Sequence, residues 1–212
     1  MVKALGSGIA ENLAAETDES LLSRYRDSAD PDDFNELVHR YERELYRYLA
    51  RYLGNPALAE DVFQNTFLQV HLKRALYEDG RPVRPWLYSI ATHQAVDALR
   101  KAGRHPTVSL DRRVSSASES DSGALVDLLV GDGSAPLAEM QEQEQRDWVT
   151  KSVERLPEAL KQTLMLAYHQ DLKYREIAEI LKIPVGTVKS RLHAALAKLQ
   201  EMARVSRQDG NG

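Results

Sequence analysis

The sequence contains no cysteine. That one absence excludes disulfides, thiolate zinc sites, cysteine-ligated iron–sulfur clusters and a cysteine nucleophile. Nor does any apolar run approach the ~20 residues that cross a bilayer as a helix. Met1 to Thr17 carries one lysine and then acidic residues, with no apolar h-region, so the expectation is that it is not a signal peptide. No stretch alternates apolar and polar residues for long enough to read as a strand. What remains is a chain of 212 residues, 42% hydrophobic, 28% charged and 7% aromatic, enough for one large or two small domains with real cores. The expectation is a cytoplasmic protein with no membrane insertion of its own.

The 28 Lys and Arg against 32 Asp and Glu give a formal net charge of −4, which taken alone argues weakly against a nucleic-acid partner. By segment the picture changes. Residues 11–70 hold 6 basic and 13 acidic groups, and residues 111–147 hold 3 and 9. Residues 71–110 hold 7 basic against 3 acidic groups, and residues 171–207 hold 8 against 4. Each of the two basic blocks is a local footprint for a polyanion.

The apolar pattern is helical throughout, as in Leu37, Tyr41, Leu45, Tyr48 and Tyr52. Asp30-Pro31 opens a helix with a capping side chain and a proline at its first position, and Gly54 closes it. Asn55-Pro56 opens another, expected to run to about Tyr77. The turn 78–82 precedes a helix expected from near Pro85 to Lys101, and a shorter helix is expected around Asp18–Arg26. Residues 104–135 are rich in Ser, Asp and Gly, the composition of a flexible acidic linker. Its one apolar stretch, Leu125 to Val130, reads equally as a turn of packed helix or as a docking segment. The fold class expected is therefore all-α: a tail over 1–17, a helical domain over 18–103, the linker, and a second helical domain over 136–207.

Residues 174–199 read as helix, short Pro/Gly-containing turn, helix, which is a helix-turn-helix. At about 100° per residue, Val188, Leu192, Leu196 and Leu199 share one face and are expected to pack on Ile177 and Leu181. Thr187, Ser190, His193, Ala194 and Ala197 fall opposite, flanked by Lys189 and Arg191. A helix entering the major groove needs this layout, with small or hydrogen-bonding residues toward base edges and cations toward phosphates. Thr187 is also placed to cap the helix N-terminus.

Ile183-Pro-Val-Gly-Thr-Val-Lys-Ser-Arg-Leu192, with Tyr174-x-Glu176-Ile-Ala-Glu, resembles region 4 of bacterial RNA polymerase sigma factors of the extracytoplasmic-function (ECF) group of the sigma-70 family. Leu21-Leu-Ser-Arg-Tyr-Arg26, Phe34-Asn-Glu-Leu-Val-His-Arg-Tyr41, Ala59-Glu-Asp-Val-Phe-Gln-Asn-Thr-Phe67, Trp86-Leu-Tyr-Ser-Ile-Ala91 and Asp97-Ala-Leu-Arg100 resemble region 2 in order and spacing. The resemblance implies a promoter-specificity subunit with no catalytic residues, no cofactor and no metal. Its partners would be core RNA polymerase (the β′ clamp coiled coil and the β flap), promoter DNA and an anti-sigma factor.

By the same resemblance Asp61 and Gln64, with Glu60 beside them, contact the polymerase. Asp61 and Gln64 stand three residues apart near a helix start, on one face. Thr187, Lys189, Ser190, Arg191, His193 and Ala194 would read the −35 element. Lys73, Arg74, Tyr77, Arg84, Tyr88, His93 and Arg100 would bind the −10 element, cations following the backbone and rings stacking on bases. Tyr77 and His93 match the pocket for a flipped base, whereas Trp86 reads as core with Ile90. Two departures stand out. His93 replaces a frequent Asn and can donate, accept or become charged. Lys173 replaces the usual Ser or Thr cap, which leaves Glu176 with half a capping box and a slightly weaker helix start.

Two other classes compete with this reading. A stand-alone helix-turn-helix regulator with a receiver would need a parallel sheet in residues 1–110, where no strand pattern occurs. A metal-dependent helical hydrolase would rest on His93 and Asp97 at i, i+4 with Glu60-Asp61, yet the six histidines are scattered along the chain.

Overall fold

The computed structural model describes residues 16–103, 147–168 and 172–209, with side chains to Ser206. Among these residues every regular element is helical and no strand occurs. No helix among them is long and apolar enough to cross a membrane. The contacts divide the chain into two compact units between Arg104 and His105. The expected tail up to residue 15, the linker with its Leu125–Val130 stretch, and Arg104 itself lie outside the described residues.

The first unit comprises α1 (Asp18–Ser28), α2 (Pro31–Leu53), α3 (Pro56–Lys73), a 3-10 turn (Arg74–Leu76) and α4 (Val83–Lys101). Its boundaries follow local chemistry. The Asp30 carboxylate accepts the Asp32 N–H at the start of α2, Pro31 occupies the first turn, and Gly54 closes the helix at φ 62°. The Asn55 side chain accepts the Leu58 N–H at 3.1 Å to start α3. The stripe Leu37, Tyr41, Leu45, Tyr48 and Tyr52 is buried, as its spacing requires, and packs with Leu21 and Leu22 of α1. Tyr48 lies at the centre. Its ring stacks on Tyr52 and meets Tyr88 edge-on, and its hydroxyl pairs with that of Thr92 at 3.0 Å.

Two helix ends differ from the pattern reading. α3 stops at Lys73, not near Tyr77, because the chain tightens into the 3-10 turn and Tyr77 then takes an extended backbone. That extension carries the Tyr77 ring into the core, 5.5 Å edge-on to Trp86, where continued helix would leave it outside. α4 begins at Val83, two residues before Pro85, since a first-turn proline gives up an N–H that has no intrahelical partner there.

The second unit comprises a helical stretch over 147–154 (α5), α6 (Glu158–Tyr168), α7 (Tyr174–Leu181) and α8 (Val185–Asp209). α8 packs on both α6 and α7. Val188, Leu192, Leu196 and Leu199 are buried together with Ala195. On α7 the buried residues are Ile177, Ala178 and Ile180. Leu181, expected in that set, is half-exposed, because α7 ends there and its C-terminal turn faces outward. Lys182 takes the left-handed conformation at φ 53°, and the Ile183 N–H returns to the Ala178 carbonyl at 3.0 Å, which closes α7 in a Schellman turn. At the other end the Lys173 N–H donates to Glu176 at 2.7 Å. Lysine has no acceptor to return the bond, so α7 starts on Glu176 alone.

Candidate protein and nucleic-acid interfaces

Three exposed surfaces collect the residues singled out from the sequence. On α3, Glu60, Asp61 and Gln64 are all exposed, and the Gln64 amide donates to Glu60 at 2.9 Å. The same stripe continues along the helix as Leu68 and Leu72, with Leu76 in the 3-10 turn beyond, and the three keep 51%, 61% and 71% of their surface in water. Positions 61, 64, 68 and 72 lie within one narrow arc at 100° per residue. Three neighbouring leucines held in solvent form an apolar patch beside a carboxylate, which is the make-up of a protein-docking face. The sequence reading missed the leucines. Their offsets of seven and eleven from Asp61 were a usable signal, but apolar residues at helical spacing read equally as core.

The second surface is the basic block of the first unit. Lys73, His93 and Arg100 are exposed, with Arg100 paired loosely to Asp97 at 3.4 Å. Arg74 and Arg84 are half-buried and committed to neighbours. Arg74 donates to the His71 carbonyl at 2.6 Å and lies over the Tyr25 ring. Arg84 donates to Glu44 at 3.2 Å and lies over the Tyr88 ring. Tyr77 and Tyr88 are buried. The Tyr88 hydroxyl donates to Glu44 at 3.3 Å, and burial, then the Glu44 charge, raises its pKa. Tyr77 donates to the Arg81 carbonyl, and burial pushes its phenol up to about 12. Cations and aromatics that alternate in sequence are thus segregated in space: rings inward, charges outward. No hydrogen bond or ring contact joins Tyr77 to His93 among the described residues.

His93 has a defined polarity. Its Nδ1 lies 2.5 Å from the Ser89 carbonyl, which only accepts. The neutral ring therefore carries its proton on Nδ1 and offers Nε2 to solvent as an acceptor. Among the described residues no group of three or more His, Asp or Glu is arranged to hold a metal ion.

The third surface is the outer face of α8. Lys189, Ser190 and Ala197 are exposed, and Thr187, Arg191, His193 and Ala194 are half-exposed. Thr187 is not the N-cap expected from the sequence. α8 begins at Val185, and the Pro184 carbonyl accepts the Thr187 and Val188 N–H groups at 2.9 and 3.1 Å. Proline fixes its own φ and stands in the capping position, so the helix starts three residues earlier. The Thr187 hydroxyl then stands in the first turn of the helix, on the same side as Ser190, whose own hydroxyl donates to the Thr187 carbonyl at 3.1 Å. Further along, Trp148 and Ser152 of α5 and Lys198, Met202 and Val205 of α8 line a groove of about 510 Å³ with Arg155 at its edge.

Comparison with known proteins places the chain in one family. The model for sigma-70 region 2 matches residues 37–105, and that for sigma-70, region 4 matches residues 146–199. The chain is 31% identical over 175 residues to the ECF RNA polymerase sigma factor SigW of Bacillus subtilis, covering 82% of this chain and 91% of that one. It is 32% identical over 179 residues to the ECF RNA polymerase sigma-E factor of Escherichia coli, covering 84% and 90%. Two solved structures share the fold. CnrH in complex with the cytosolic domain of CnrY matches at a TM-score of 0.61 and 20% identity, covering 90% of this chain and 99% of that chain. The sigma factor RpoE in complex with the anti-sigma factor NepR from Bartonella quintana matches at 0.57 and 23%, covering 82% and 98%. The two region models in the expected order and relatives matched over most of their length show that the chain belongs to the ECF group of sigma-70 factors, the subunits that direct RNA polymerase to promoters.

Proposed function

We propose that the two units divide the work of a sigma factor residue by residue as follows. Asp61 and Gln64, with Glu60 beside them, bind the β′ clamp coiled coil, and Leu68 and Leu72 supply the apolar half of that contact. The observation that supports this is the continuous exposed stripe on α3. The groove that Trp148, Met202 and Val205 line together with Lys198 and Arg155 takes the β flap.

The outer face of α8 enters the major groove of the −35 element. Thr187, Ser190, His193 and Ala194 approach base edges, and Lys189 and Arg191 meet phosphates. This assignment carries the function most directly, because small polar residues and cations share the one face of α8 that the core leaves open. In the first unit Lys73 and Arg100 track the −10 strand, and His93 Nε2 accepts from a base amine. Arg74 and Arg84, committed as they are to neighbours, contribute field more than contact. Tyr77 and Tyr88 act from within the core, holding the reading surface in shape. Docking on core polymerase then brings the −10 reader to a duplex that region 4 has already anchored, and a captured base offsets the cost of opening.

The chain works in the cytoplasm, where polymerase is, and has an anti-sigma partner. RpoE, which shares its fold, was solved in complex with the anti-sigma factor NepR. In vitro transcription with core polymerase on a promoter library, with and without the chain, tests the whole reading. Stimulated initiation from a defined −35/−10 subset is expected, and no stimulation on any template would overturn it.

A further inference from the structure

The loop that follows the basic end of α3 is fastened from outside. Arg26, on α1, donates through Nη1 to the Tyr77 carbonyl at 3.1 Å and to Asp79 Oδ1 at 2.9 Å, and through Nη2 to Asp79 Oδ2 at 3.1 Å. Ser23, one turn earlier, donates to Asp79 Oδ1 at 2.7 Å. Glu19, one turn earlier again, accepts the Val83 N–H at 3.1 Å. Val83 opens α4, whose own preceding residue, Pro82, provides no side-chain cap. Glu19 therefore caps α4 from another helix. Within the loop the Arg81 N–H donates to the Glu78 carbonyl at 3.2 Å, with Gly80 at φ 81° between them.

One face of α1, at positions 19, 23 and 26, thus holds both ends of the segment 77–83. The bidentate Arg26–Asp79 pair is the strong element, since a planar guanidinium fixes direction as well as distance. The pair is half in water, so as a stability device it is worth little. Three contacts from one helix to one short loop constrain geometry out of proportion to that stability. α1 also lies outside the span matched to region 2, which begins at residue 37.

We infer that Arg26, Ser23 and Glu19 are positioning residues for promoter reading, a clasp that presets the 77–83 loop for capture of the −10 base. This rests on the assignment of the basic surface of the first unit to the −10 element. A preset loop spends none of its binding energy on ordering, so the clasp sharpens discrimination between bases more than it adds affinity. Core polymerase and the −35 duplex meet other surfaces and do not sense it.

The test compares Arg26→Gln and Asp79→Asn with the parent chain on promoters selected by the transcription library, each carrying 2-aminopurine at the captured −10 position. Each variant is expected to lose about tenfold in discrimination between the preferred base and its alternatives, with core binding and −35 duplex binding unchanged. The charge swap Arg26→Glu with Asp79→Arg rebuilds the ion pair but not the bonds to the Tyr77 carbonyl and from Ser23, and should recover part of the loss. If Arg26→Gln fails to fold by circular dichroism, Asp79→Asn, at an exposed side chain, reads the same quantity. Undiminished discrimination in either folded variant would overturn the inference, as would a loss that the swap leaves in full. Amide hydrogen exchange at Gly80, Arg81 and Val83 in the free chain gives an independent reading. Exchange there should quicken in Asp79→Asn, and an unchanged rate would refute the clasp whatever the promoters show. Failure of the parent chain to initiate anywhere would instead sink the promoter assignment and leave the exchange result standing on its own.

Discussion

Replacing both Leu68 and Leu72 by alanine separates docking from folding more cleanly than any other change in the chain. Full burial of a leucine is worth about 1.5–3 kcal/mol. Leu68 and Leu72 already have roughly half of that burial against their own unit, with 51% and 61% of their surface left in water. A partner that covers the remainder gains about 1 kcal/mol from each, so the double variant should lose about 2 kcal/mol of binding, near 30-fold in Kd. The fold should barely notice. Alanine has the better helix propensity, and exposed substitutions on a helix stay within about 0.5 kcal/mol.

The assay is a fluorescence anisotropy titration of labelled chain with core polymerase at two ionic strengths, beside a thermal melt of each variant. Asp61→Ala is the internal comparison. Its loss should shrink as salt screens the carboxylate, whereas the leucine loss should persist. A Kd within threefold of the parent, in a double variant that melts normally while Asp61→Ala binds weakly, would refute the assignment of the leucines to the contact. Unchanged core affinity in Asp61→Ala would refute the docking surface as a whole.

Lys189→Ala should weaken −35 duplex binding on all sequences alike and lower the slope of log K against log salt by about one, read from filter binding across a salt series. Glu176→Ala removes the acceptor for the Lys173 N–H and should destabilise the second unit by about 1 kcal/mol in urea unfolding. Tyr48→Phe strips the hydroxyl that pairs with Thr92 in the core of the first unit and should cost about 1 kcal/mol there, with polymerase binding intact. The Asp79 carboxyl is held below the usual carboxylate range by Arg26 and then Ser23. A lowered folded pKa means that the clasp is complete above the ordinary carboxylate value and is lost only as pH falls through the lowered one. In a His93→Gln background, which removes the imidazole from the −10 surface, discrimination at −10 should therefore be flat from about pH 6 to 8, and a midpoint inside that window would contradict the pairing.

What the sequence made legible is the set of features fixed by short-range chemistry. The caps at Asp30 and Asn55, the stripe from Leu37 to Tyr52 and the buried face of α8 each follow from residues within a few positions of one another. What it hid depends on neighbours far along the chain. Tyr77 stands among cations and reads as a stacking ring, but its fate is decided by Trp86, nine positions on, and by the α1 residues that pin the loop above it. Tyr88 is drawn inward by Tyr48 and Glu44 of α2, 40 and 44 positions away. Leu68 and Leu72 show the reverse case. Periodicity put them on a face, and only the packing of α3 on α2 and α4 shows that this face is the one left uncovered. The misplaced Thr187 cap is subtler: Pro184 and Thr187 both suit a helix start, and a three-residue offset in the start of α8 chose between them.

Charge shows the same division between what a count can say and what placement decides. The excess of acid over residues 11–70 suggests a broadly acidic face toward the polymerase, yet much of that acid is spent inside the unit. Asp33 and Glu16 hold Arg24, Asp18 and Glu36 hold Arg40, and Glu44 holds Arg84. These pairs fasten α1 and α4 to α2 and draw the arginines in as well, so each of these charges stands beside its opposite. The carboxylates left on the α3 stripe are Glu60 and Asp61, standing beside exposed leucine, and the cations left on the basic surface are Lys73, Arg100 and Lys101. The polymerase surface is then mainly apolar with one charged end, and should bind with a shallow salt dependence. The DNA surfaces keep exposed cations, and should bind with a steep one. Promoter engagement would thus respond to ionic strength while the holoenzyme itself persists, an order of events that suits a subunit which must stay on its polymerase while it samples DNA.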